Sequence, residues 1–342
     1  MSGSGETSGA DAALPPLAIV GAGSLGQAFA TLLAHAGHDV TLVATPRTAA
    51  ELSESGRIHL EGSFDLDAAI EPGSLNITTA LPADGEPLGL LFTTKAHQLV
   101  PAVTQLGLPP ERVAWAAGVQ NGVVKDDVLH AAYGAGRVIG AVTIMGAARI
   151  ANGRIRVTAP GMTFLGEFGR GPSPRVDALV DALTGAGIPA RAAGDVASVI
   201  WSKACNATGA FGTWMLAGPD APLVGYDPDL MRAFLTLVRE TAAIARAEGV
   251  EVADHDGLPP VRAWVQRPLE ELLAELPAPP REDGPRSYPS MLQDRLAGRP
   301  LEVEEVFGDL VARAERHDVP APALTFTRDI LRGVARGLSA TG

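Results

Sequence analysis

The sequence predicts an α/β fold with a doubly wound parallel sheet in the first part of the chain and an all-helical second part. Three observations support this prediction. An apolar strand, a glycine-rich turn and a helix follow one another within residues 17–36. Further strand-like apolar runs then alternate with helix-like segments, which is typical of parallel sheets. Beyond Asp195 the apolar residues recur at helical spacing instead.

Composition limits the classes of protein to consider. A chain of 342 residues is long enough for about two domains, and we expect a flexible tail at 1–16, a first domain at 17–194 and a helical domain at 195–338. The net charge of −12 argues against nucleic-acid or anionic-membrane partners. The one cysteine, Cys205, cannot form an internal disulfide, and no secretory or membrane-spanning pattern is present. We therefore expect a cytoplasmic protein.

The glycine-rich turn carries the strongest local signal. Gly21, Gly23 and Gly26 have G-x-G-x-x-G spacing between a predicted strand, Leu17–Val20, and a predicted helix, Ser24–Ala36. The first glycine permits a sharp turn, the second allows a pyrophosphate to approach the backbone, and the third lets helix and strand pack closely. This context indicates a Rossmann-type dinucleotide site, although an ordinary glycine-containing turn would also explain the glycines alone.

The end of the second predicted strand, Asp39–Val43, bears on the choice of cofactor. An acid at this place would bind the adenosine ribose, whereas a base would bind a 2′-phosphate. The strand is followed by Ala-Thr-Pro-Arg, and no acid occurs before Glu51. Arg47, which lies 21 positions after Gly26, therefore favours NADP over NAD. The alternative is a solvated loop arginine.

The remaining strands of the first domain place more polar residues near the cofactor. We predict strands at 57–60, 75–79, 88–94, 113–117, 138–146, 154–158, 163–166 and 189–192, and a helix at 173–186. The later, hairpin-like strands are expected to extend the parallel sheet in the antiparallel sense. Because ligands bind beyond the carboxyl ends of parallel strands, Lys95, Asn121 and a turn at Gly146 are expected on the cofactor side. Alternatively, Lys95 is a solvated charge and Asn121 caps the next helix.

The second half contains candidate catalytic residues within helices. Helices are predicted at 196–216, 228–247, 259–276, 302–317 and 322–338, with a surface loop at 277–289. Lys203 and Asn206 share a helix face. A lysine among apolar neighbours either extends to solvent or lies in a cleft, where its lowered pKa allows proton donation. Ser290 either binds a carboxylate or caps a helix, and Glu302 either orients a lysine or is a first-turn acid.

Five motifs occur in a fixed order along the chain: GAGSLG at 21–26, TKAHQ at 94–98, VQNGV at 119–123, WSK at 201–203 and SMLQD at 290–294. Together they resemble the ketopantoate reductase (2-dehydropantoate 2-reductase) family, which uses NADPH. The resemblance extends over residues 17–331, and Glu302 falls at the family spacing after Ser290. It implies NADPH-dependent reduction of a small 2-keto acid, without a metal. The first candidate substrate is 2-dehydropantoate, which would yield pantoate.

The resemblance also implies roles for individual residues. Lys203 would be the general acid that protonates the ketone oxygen, and Glu302 would hold Lys203 and contact the ligand. Asn121 would bridge the nicotinamide ribose and the substrate, while Asn206 and Ser290 would bind the polar groups of the substrate. The cofactor would be lined by the glycine-rich turn and a few further residues: Gly21, Ala22, Gly23, Ser24, Leu25, Gly26, Lys95 and Gly146.

The sequence departs from the family pattern around the substrate. The family asparagine stands four residues after the lysine, whereas Asn206 stands three after Lys203, and Ala210 takes the approximate place of a second asparagine. Thr45 replaces the arginine that ends the second strand, and Pro289 replaces the first serine of S-S-M. Two alternatives therefore stay open: a family member that reduces another ketone or an imine, and a catalytically silent NADP-binding regulator. A homodimer is an open expectation.

Overall fold

The chain forms two compact units. In the computed structural model, residues 14–70, 75–169, 171–221, 224–278 and 288–341 are described. The first unit contains the chain up to Thr93 together with the ranges 106–117 and 133–195, and the second unit contains 94–105, 118–132 and the chain from Val196 onward. The segments that carry Lys95 and Asn121 therefore group with the helical unit.

Two sequence predictions concern segments that lie largely outside the described residues. The tail expected at 1–16 lies mostly outside the described residues, and so does most of the loop expected at 277–289. No helix in the described part of the chain is both long enough and apolar enough to cross a membrane.

The first unit contains two sheets. The strands are β1 Leu17–Val20, β2 Val40–Val43, β3 Arg57–Gly62, β4 Leu66–Ala69, β5 Leu75–Thr78, β6 Leu88–Phe92, β7 Val113–Gly118, β8 Ile139–Ala151, β9 Arg154–Glu167 and β10 Ala190–Ala192. The first sheet has the order β5-β2-β1-β6-β7. Strand β1 pairs in parallel with β2 and β6, and β2 pairs in parallel with β5. All four residues of β1 are buried, as expected for a central strand.

The predicted antiparallel extension of the parallel sheet is wrong. The hairpin strands β8 and β9 belong instead to a second sheet, in the order β10-β9-β3-β4 with β8 on β9. The two segments predicted at 154–158 and 163–166 are one strand, because β8 and β9 stay paired through three register shifts. Strand periodicity shows which face is buried, but it does not select the partner strand.

Most of the predicted helices are observed, and the structure adds helices that the sequence analysis did not delimit. The helices are α1 Ser24–His35, α2 Pro46–Ser55, α3 Leu99–Leu106, α4 Val124–Tyr133, α5 Pro174–Gly185, α6 Val196–Ala217, α7 Pro228–Ala247, α8 Val261–Gln266, α9 Leu269–Ala274, α10 Ser290–Leu296, α11 Asp309–Arg316 and α12 Pro322–Thr341, with a π-helix at Glu304–Gly308 before α11. The single helix predicted at 259–276 is wrong, since it divides into α8 and α9. Pro268 cannot donate a helical hydrogen bond, and the residue before it, Arg267, is extended. The predicted fold class, a Rossmann-like parallel sheet with helices followed by a helical region, is confirmed.

A buried arginine links three helices of the second unit and the C-cap of a fourth, α7. The guanidinium of Arg313 in α11 donates to Asp309 at 2.9 Å, to Glu248 at 3.1 Å and to Asp127 of α4. It also lies over the ring of Trp201 in α6, 5.9 Å from the ring centroid. Burial disfavours the charge, but these carboxylates raise the pKa of Arg313 above its usual range. The network links α4 to α6, the helix that carries the candidate catalytic lysine.

In the first unit, Gly26 allows α1 to approach the end of β1. A side chain at this position would overlap the carbonyl oxygen of Gly21 and lie 2.5 Å from Oγ1 of Thr93. That hydroxyl donates to the Gly21 carbonyl at 2.8 Å, so the space is closed on two sides. By contrast, nothing lies within 4 Å of a side chain placed on Gly23.

This difference predicts unequal effects on stability. Gly26→Ala should lower the free energy of unfolding by about 1–3 kcal/mol, because the added methyl group overpacks the turn. The matched control Gly23→Ala should cost less than about 1 kcal/mol, since it only replaces glycine at a helix N-cap. Urea denaturation followed by circular dichroism measures both values. Equal losses in the two variants would contradict the packing argument.

Candidate functional site

The glycine-rich turn of the first unit has the features of a phosphate cradle. Gly21 has a φ of +112°, which favours glycine, and its N–H donates to the Val43 carbonyl at 3.0 Å. Helix α1 begins at Ser24 with Gly23 as its N-cap. The first amides of a helix lack helical partners and attract anions. With open space beside Gly23, these residues fit the pyrophosphate of a dinucleotide.

Arg47 lies in the first turn of α2 rather than in a loop. Thr45 caps this helix, its Oγ1 accepting from the Thr48 amide at 3.3 Å. The Arg47 side chain is 90% exposed and donates to Glu51 at 3.0 Å. Glu51 also accepts from Arg149 at 2.6 Å, so two guanidinium groups share one carboxylate. Arg47 is therefore accessible to a ligand.

Gly146 is not in a turn, and this prediction is wrong. It lies within β8, opposite Ala159 of β9, at one of the register shifts. A side chain here would be 2.5 Å from Oγ1 of Thr158, so the glycine serves close packing of the hairpin. The apolar run that ends at Gly146 predicted that the strand also ends there. Strand β8 instead continues to Ala151, because it stays paired with the long strand β9.

In the second unit, α6 exposes only a narrow stripe along most of its length. Between positions 198 and 215, every residue is buried except Lys203, Asn206 and Ala210, which are half-buried. These three positions follow helical spacing and share one face, as predicted. Nζ of Lys203 donates to Oδ1 of Asn121 at 2.8 Å. The amide oxygen of Asn121 is thus directed at the lysine and not at the next helix.

The lysine amine is primed to release its proton. Desolvation by burial, then repulsion from Lys125, lower the pKa of Lys203 from 10.5 to about 8, and Glu302 opposes this change. A lysine with a pKa near neutrality is partly protonated and still acidic enough to donate. The half-buried Lys203 is held by Asn121 rather than extended to solvent, and the predicted cleft around it stays a prediction.

Glu302 is deeply buried, with its side chain 3% exposed. Its Oε1 accepts from the Ala96 amide at 2.6 Å, and its Oε2 lies 3.7 Å from Nζ of Lys95. The partners that the structure gives Glu302 are therefore Ala96 and Lys95, and it acts on Lys203 through its charge. Lys95 itself donates to Asp294 at 2.5 Å. Lys95 is part of an ion-pair cluster and not an isolated solvated charge.

Helix α10 contributes a residue that sequence reasoning missed. Asp294 is buried and accepts from Lys95 and, at 2.8 Å, from Arg299. The only local sign of a buried acid is that Asp294 follows two apolar residues, Met291 and Leu292, at helical spacing. Pro289 occupies the N-cap position of α10, and Ser290 is the first helical residue. Ser290 therefore does not cap the helix.

A second missed feature lies at the start of α4. Lys125 is 1% exposed, and its Nζ donates to Oδ2 of the neighbouring Asp126 at 2.6 Å. Burial raises the pKa of Asp126, while Lys125 opposes this. Three consecutive charged residues at a helix start are usually solvated, so nothing in the local pattern indicated burial.

The second unit thus brings together an acidic amine, an amide that orients it, and buried carboxylates that balance nearby charge. Lys203 is hydrogen-bonded to Asn121 and shares the half-buried stripe of α6 with Asn206, while Lys95, Asp294 and Glu302 form an ion-pair cluster. A preorganised cation of this kind can stabilise and protonate an oxygen on which negative charge develops.

Comparison with known proteins identifies the chain's relatives. The family model described as ketopantoate reductase PanE/ApbA matches residues 17–170, and the model described as ketopantoate reductase PanE/ApbA C terminal matches residues 195–335. The chain belongs to the ketopantoate reductase family. It is therefore an oxidoreductase of a pyridine-nucleotide-dependent family that acts on CH–OH groups.

Individual relatives agree with the family assignment. The chain is 27% identical over 317 residues to 2-dehydropantoate 2-reductase of Pyrococcus abyssi, covering 92% of this chain and 96% of the relative. The crystal structure of 2-dehydropantoate 2-reductase from Methylococcus capsulatus superposes with a TM-score of 0.72 at 23% identity, covering 95% and 98% of the two chains. D-mandelate dehydrogenase with NADH and anilino(oxo)acetate superposes with a TM-score of 0.75 at 19% identity, covering 95% and 99%. These structures share the ketopantoate reductase fold.

Proposed function

We propose that this ketopantoate reductase family member catalyses the NADPH-dependent reduction of a 2-keto acid, with 2-dehydropantoate as the first candidate. The observation that carries the proposal is the half-buried Lys203, with its pKa of about 8 and its hydrogen bond to Asn121. The glycine-rich turn at 21–26 would hold the cofactor pyrophosphate, and NADPH, when bound, supplies the hydride.

Lys203 acts as the general acid in this proposal. As the carbonyl carbon becomes tetrahedral, its oxygen gains negative charge, and the ammonium of Lys203 stabilises that charge and transfers a proton to it. The product is a 2-hydroxy acid and the lysine is left neutral. Asn121 keeps the amine oriented. The negative charge of Glu302 opposes the fall in the pKa of Lys203 and so favours its protonated form. Asn206 and Ser290 would bind polar groups of the substrate.

Removing the amine tests the assignment of the acid. Lys203→Met should lower kcat by about 10²- to 10⁴-fold, because general-acid catalysis is lost, while the Kd for NADPH stays within about twofold in fluorescence titration. In the unchanged enzyme, kcat/KM should decrease as pH rises through about 8, where Lys203 loses its proton. A Lys203→Met variant with unchanged turnover would contradict the assignment. If the wild-type protein binds NADPH but reduces no carbonyl compound, the alternative of a catalytically silent NADP-binding regulator is supported instead.

A second candidate function is reduction of a keto acid with an apolar substituent, and the stripe of α6 favours it. Beyond Lys203 and Asn206 the stripe continues with the methyl group of Ala210. One turn further, Trp214 meets Tyr288 edge-on at 5.7 Å. An apolar surface here would suit an alkyl or aryl group better than a hydroxyl group.

A matched pair of substrates separates the two candidates. 2-Dehydropantoate and trimethylpyruvate differ only in that a hydroxymethyl group is replaced by a methyl group. If 2-dehydropantoate is the substrate, its kcat/KM should exceed that of trimethylpyruvate by at least about tenfold, since a site that binds a hydroxyl group discriminates strongly. The reverse order would favour the second candidate, and turnover of a cyclic imine alone would favour an imine reductase.

The preference for NADPH over NADH is a further proposal, supported by the exposed guanidinium of Arg47 in the first turn of α2. Arg47→Ala should raise the Kd for NADPH by about tenfold, the loss of one charge-assisted hydrogen bond, and leave the Kd for NADH unchanged. The control is Arg57→Ala, which removes an exposed arginine that is also paired with a carboxylate, Asp67 at 2.6 Å. If Arg47→Ala weakens the binding of both cofactors equally, Arg47 does not contact the 2′-phosphate.

That the protein forms a homodimer stays a prediction.

A further inference from the structure

The carboxylate of Glu51 is shared by two arginines that come from distant parts of the chain. Glu51 lies in α2, one turn after Arg47, whose Nε donates to Oε1 of Glu51 at 3.0 Å. Nη2 of Arg149 in β8, 98 positions further along the chain, donates to Oε2 at 2.6 Å. All three residues belong to the first unit. Each oxygen of the carboxylate therefore has a guanidinium partner of its own.

Backbone contacts, and not only this ion pair, hold Arg149 in place. The turn between β8 and β9 contains Gly153, which has a φ of +63°. Its carbonyl accepts from the His59 amide at 2.7 Å, and a side chain on Gly153 would overlap Oγ of Ser55, the last residue of α2. Arg149 also donates to Asn152 of the same turn. The tip of the hairpin therefore lies against α2, and we expect it to stay there when the Arg149 side chain is changed.

The other arginines of the hairpin are arranged differently. Arg154 and Arg156 of β9 both donate to Glu61 of β3, at 2.7 and 2.9 Å, and so link two strands of one sheet. Arg149 instead links the sheet to α2, the helix that carries the proposed cofactor arginine. Ion pairs near the surface contribute little to stability. The position of Arg149 is therefore more informative about binding than about folding.

The end of β2 is joined to the glycine-rich turn. The Gly21 amide donates to the carbonyl of Val43, the last residue of β2, at 3.0 Å, and α2 begins at Pro46. In a Rossmann-type site the pyrophosphate lies on the glycine-rich turn, and the adenosine ribose lies near residues that follow the second strand. A dinucleotide bound in this way would bring its 2′ position towards Arg47 and Glu51.

An unpaired acid at this place would work against NADPH. A carboxylate near the ribose accepts from a 2′-hydroxyl group and repels a 2′-phosphate. Hydrogen bonds from Arg149 and then from Arg47 lower the pKa of Glu51, so its carboxylate is charged at neutral pH. The charged Glu51 also competes with a phosphate for Arg47. Arg149 reduces both effects, because it neutralises the charge and occupies one carboxylate oxygen.

We propose that Arg149 is a positioning residue for the adenosine 2′-phosphate: by holding and neutralising Glu51, it leaves Arg47 able to bind a phosphate monoester on the ribose. The inference rests on the proposed preference for NADPH and adds the residue that makes an acid tolerable beside Arg47. Arg149 acts through Glu51 and needs no contact of its own with the ligand.

Two fragments of the cofactor test the proposal by isothermal titration calorimetry. Adenosine 2′,5′-bisphosphate and 5′-AMP differ only in the 2′-phosphate, so the ratio of their Kd values reports recognition of that group. The wild-type protein should bind the bisphosphate at least about tenfold more tightly. Arg149→Gln should weaken the bisphosphate by about three- to tenfold, the effect of one surface charge interaction, and leave the Kd for 5′-AMP within about twofold.

Removing the acid should rescue the variant. In Arg149→Gln combined with Glu51→Gln, no carboxylate is left to repel the phosphate or to hold Arg47, so the ratio should return to within about twofold of the wild-type value. Arg149→Lys, which keeps a cation beside Glu51, should also retain the ratio. The matched control is Arg154→Gln, which removes an arginine of the same hairpin that is paired with Glu61 and should change neither Kd.

Three results would overturn the proposal. The first is an unchanged ratio in Arg149→Gln, which would make Arg149 a purely structural link between the hairpin and α2. The second is a loss that persists in the double variant, because the effect would then not act through Glu51. The third is an equal loss in Arg154→Gln, which would reflect the general charge of the hairpin. Thermal unfolding followed by circular dichroism checks that each variant is folded, and Glu51→Gln alone, which should bind the bisphosphate at least as tightly as the wild type, gives a second test.

The outcomes separate this inference from the proposed reduction of a keto acid, because neither fragment carries a nicotinamide. If the ratios change as expected while no keto acid is reduced, the role of Arg149 stands and the reductase proposal fails. If NADPH-dependent reduction is observed while Arg149→Gln leaves the ratio unchanged, the reductase stands and Arg149 has no such role. If the wild-type protein binds both fragments equally, this inference and the preference for NADPH fail together, while Lys203→Met still tests the acid with either cofactor.

Discussion

The hydrogen bond between Lys203 and Asn121 is the interaction on which the proposed chemistry of the second unit depends. An amine that protonates a developing alkoxide has to be desolvated enough to be acidic and held firmly enough to be aimed. Burial in α6 provides the first condition, and the 2.8 Å contact with the Asn121 oxygen provides the second. Without this neutral partner, a partly buried ammonium would extend towards water or lose its proton.

The cations around this bond are balanced by carboxylates buried beside them. Lys125 is paired with Asp126, and Lys95 lies between Asp294 and Glu302. Two of these carboxylates have a further partner, since Asp294 also accepts from Arg299 and Glu302 also accepts from the Ala96 amide. A preorganised charge distribution stabilises a transition state without the reorganisation that water would need. In the proposed reaction, the cluster would balance the buried charges around the lysine that donates the proton.

Rigid backbone features support both halves of the proposed reaction. In the first unit, Gly21 and Gly26 shape the end of β1 so that the first amides of α1 stay free for an anion. In the second unit, Arg313 holds α4 through Asp127 while contacting Trp201, two residues before the candidate catalytic lysine of α6. The residues proposed to bind the cofactor and to donate the proton are thus carried by elements that packing and ion pairs hold in place.

The sequence by itself determined the features that depend on local spacing. Side-chain period and glycine placement predicted the strand, turn and helix at 17–36, and they placed Lys203 and Asn206 on one face of α6. The tertiary structure decided the partners: Asn121 reaches Lys203 across 82 positions, and Asp294 reaches Lys95 across 199. It also decided that the hairpin strands form a second sheet and that Lys125 is buried. Periodicity records which face of an element is covered, whereas the identity of the covering residues follows only from packing of the whole chain.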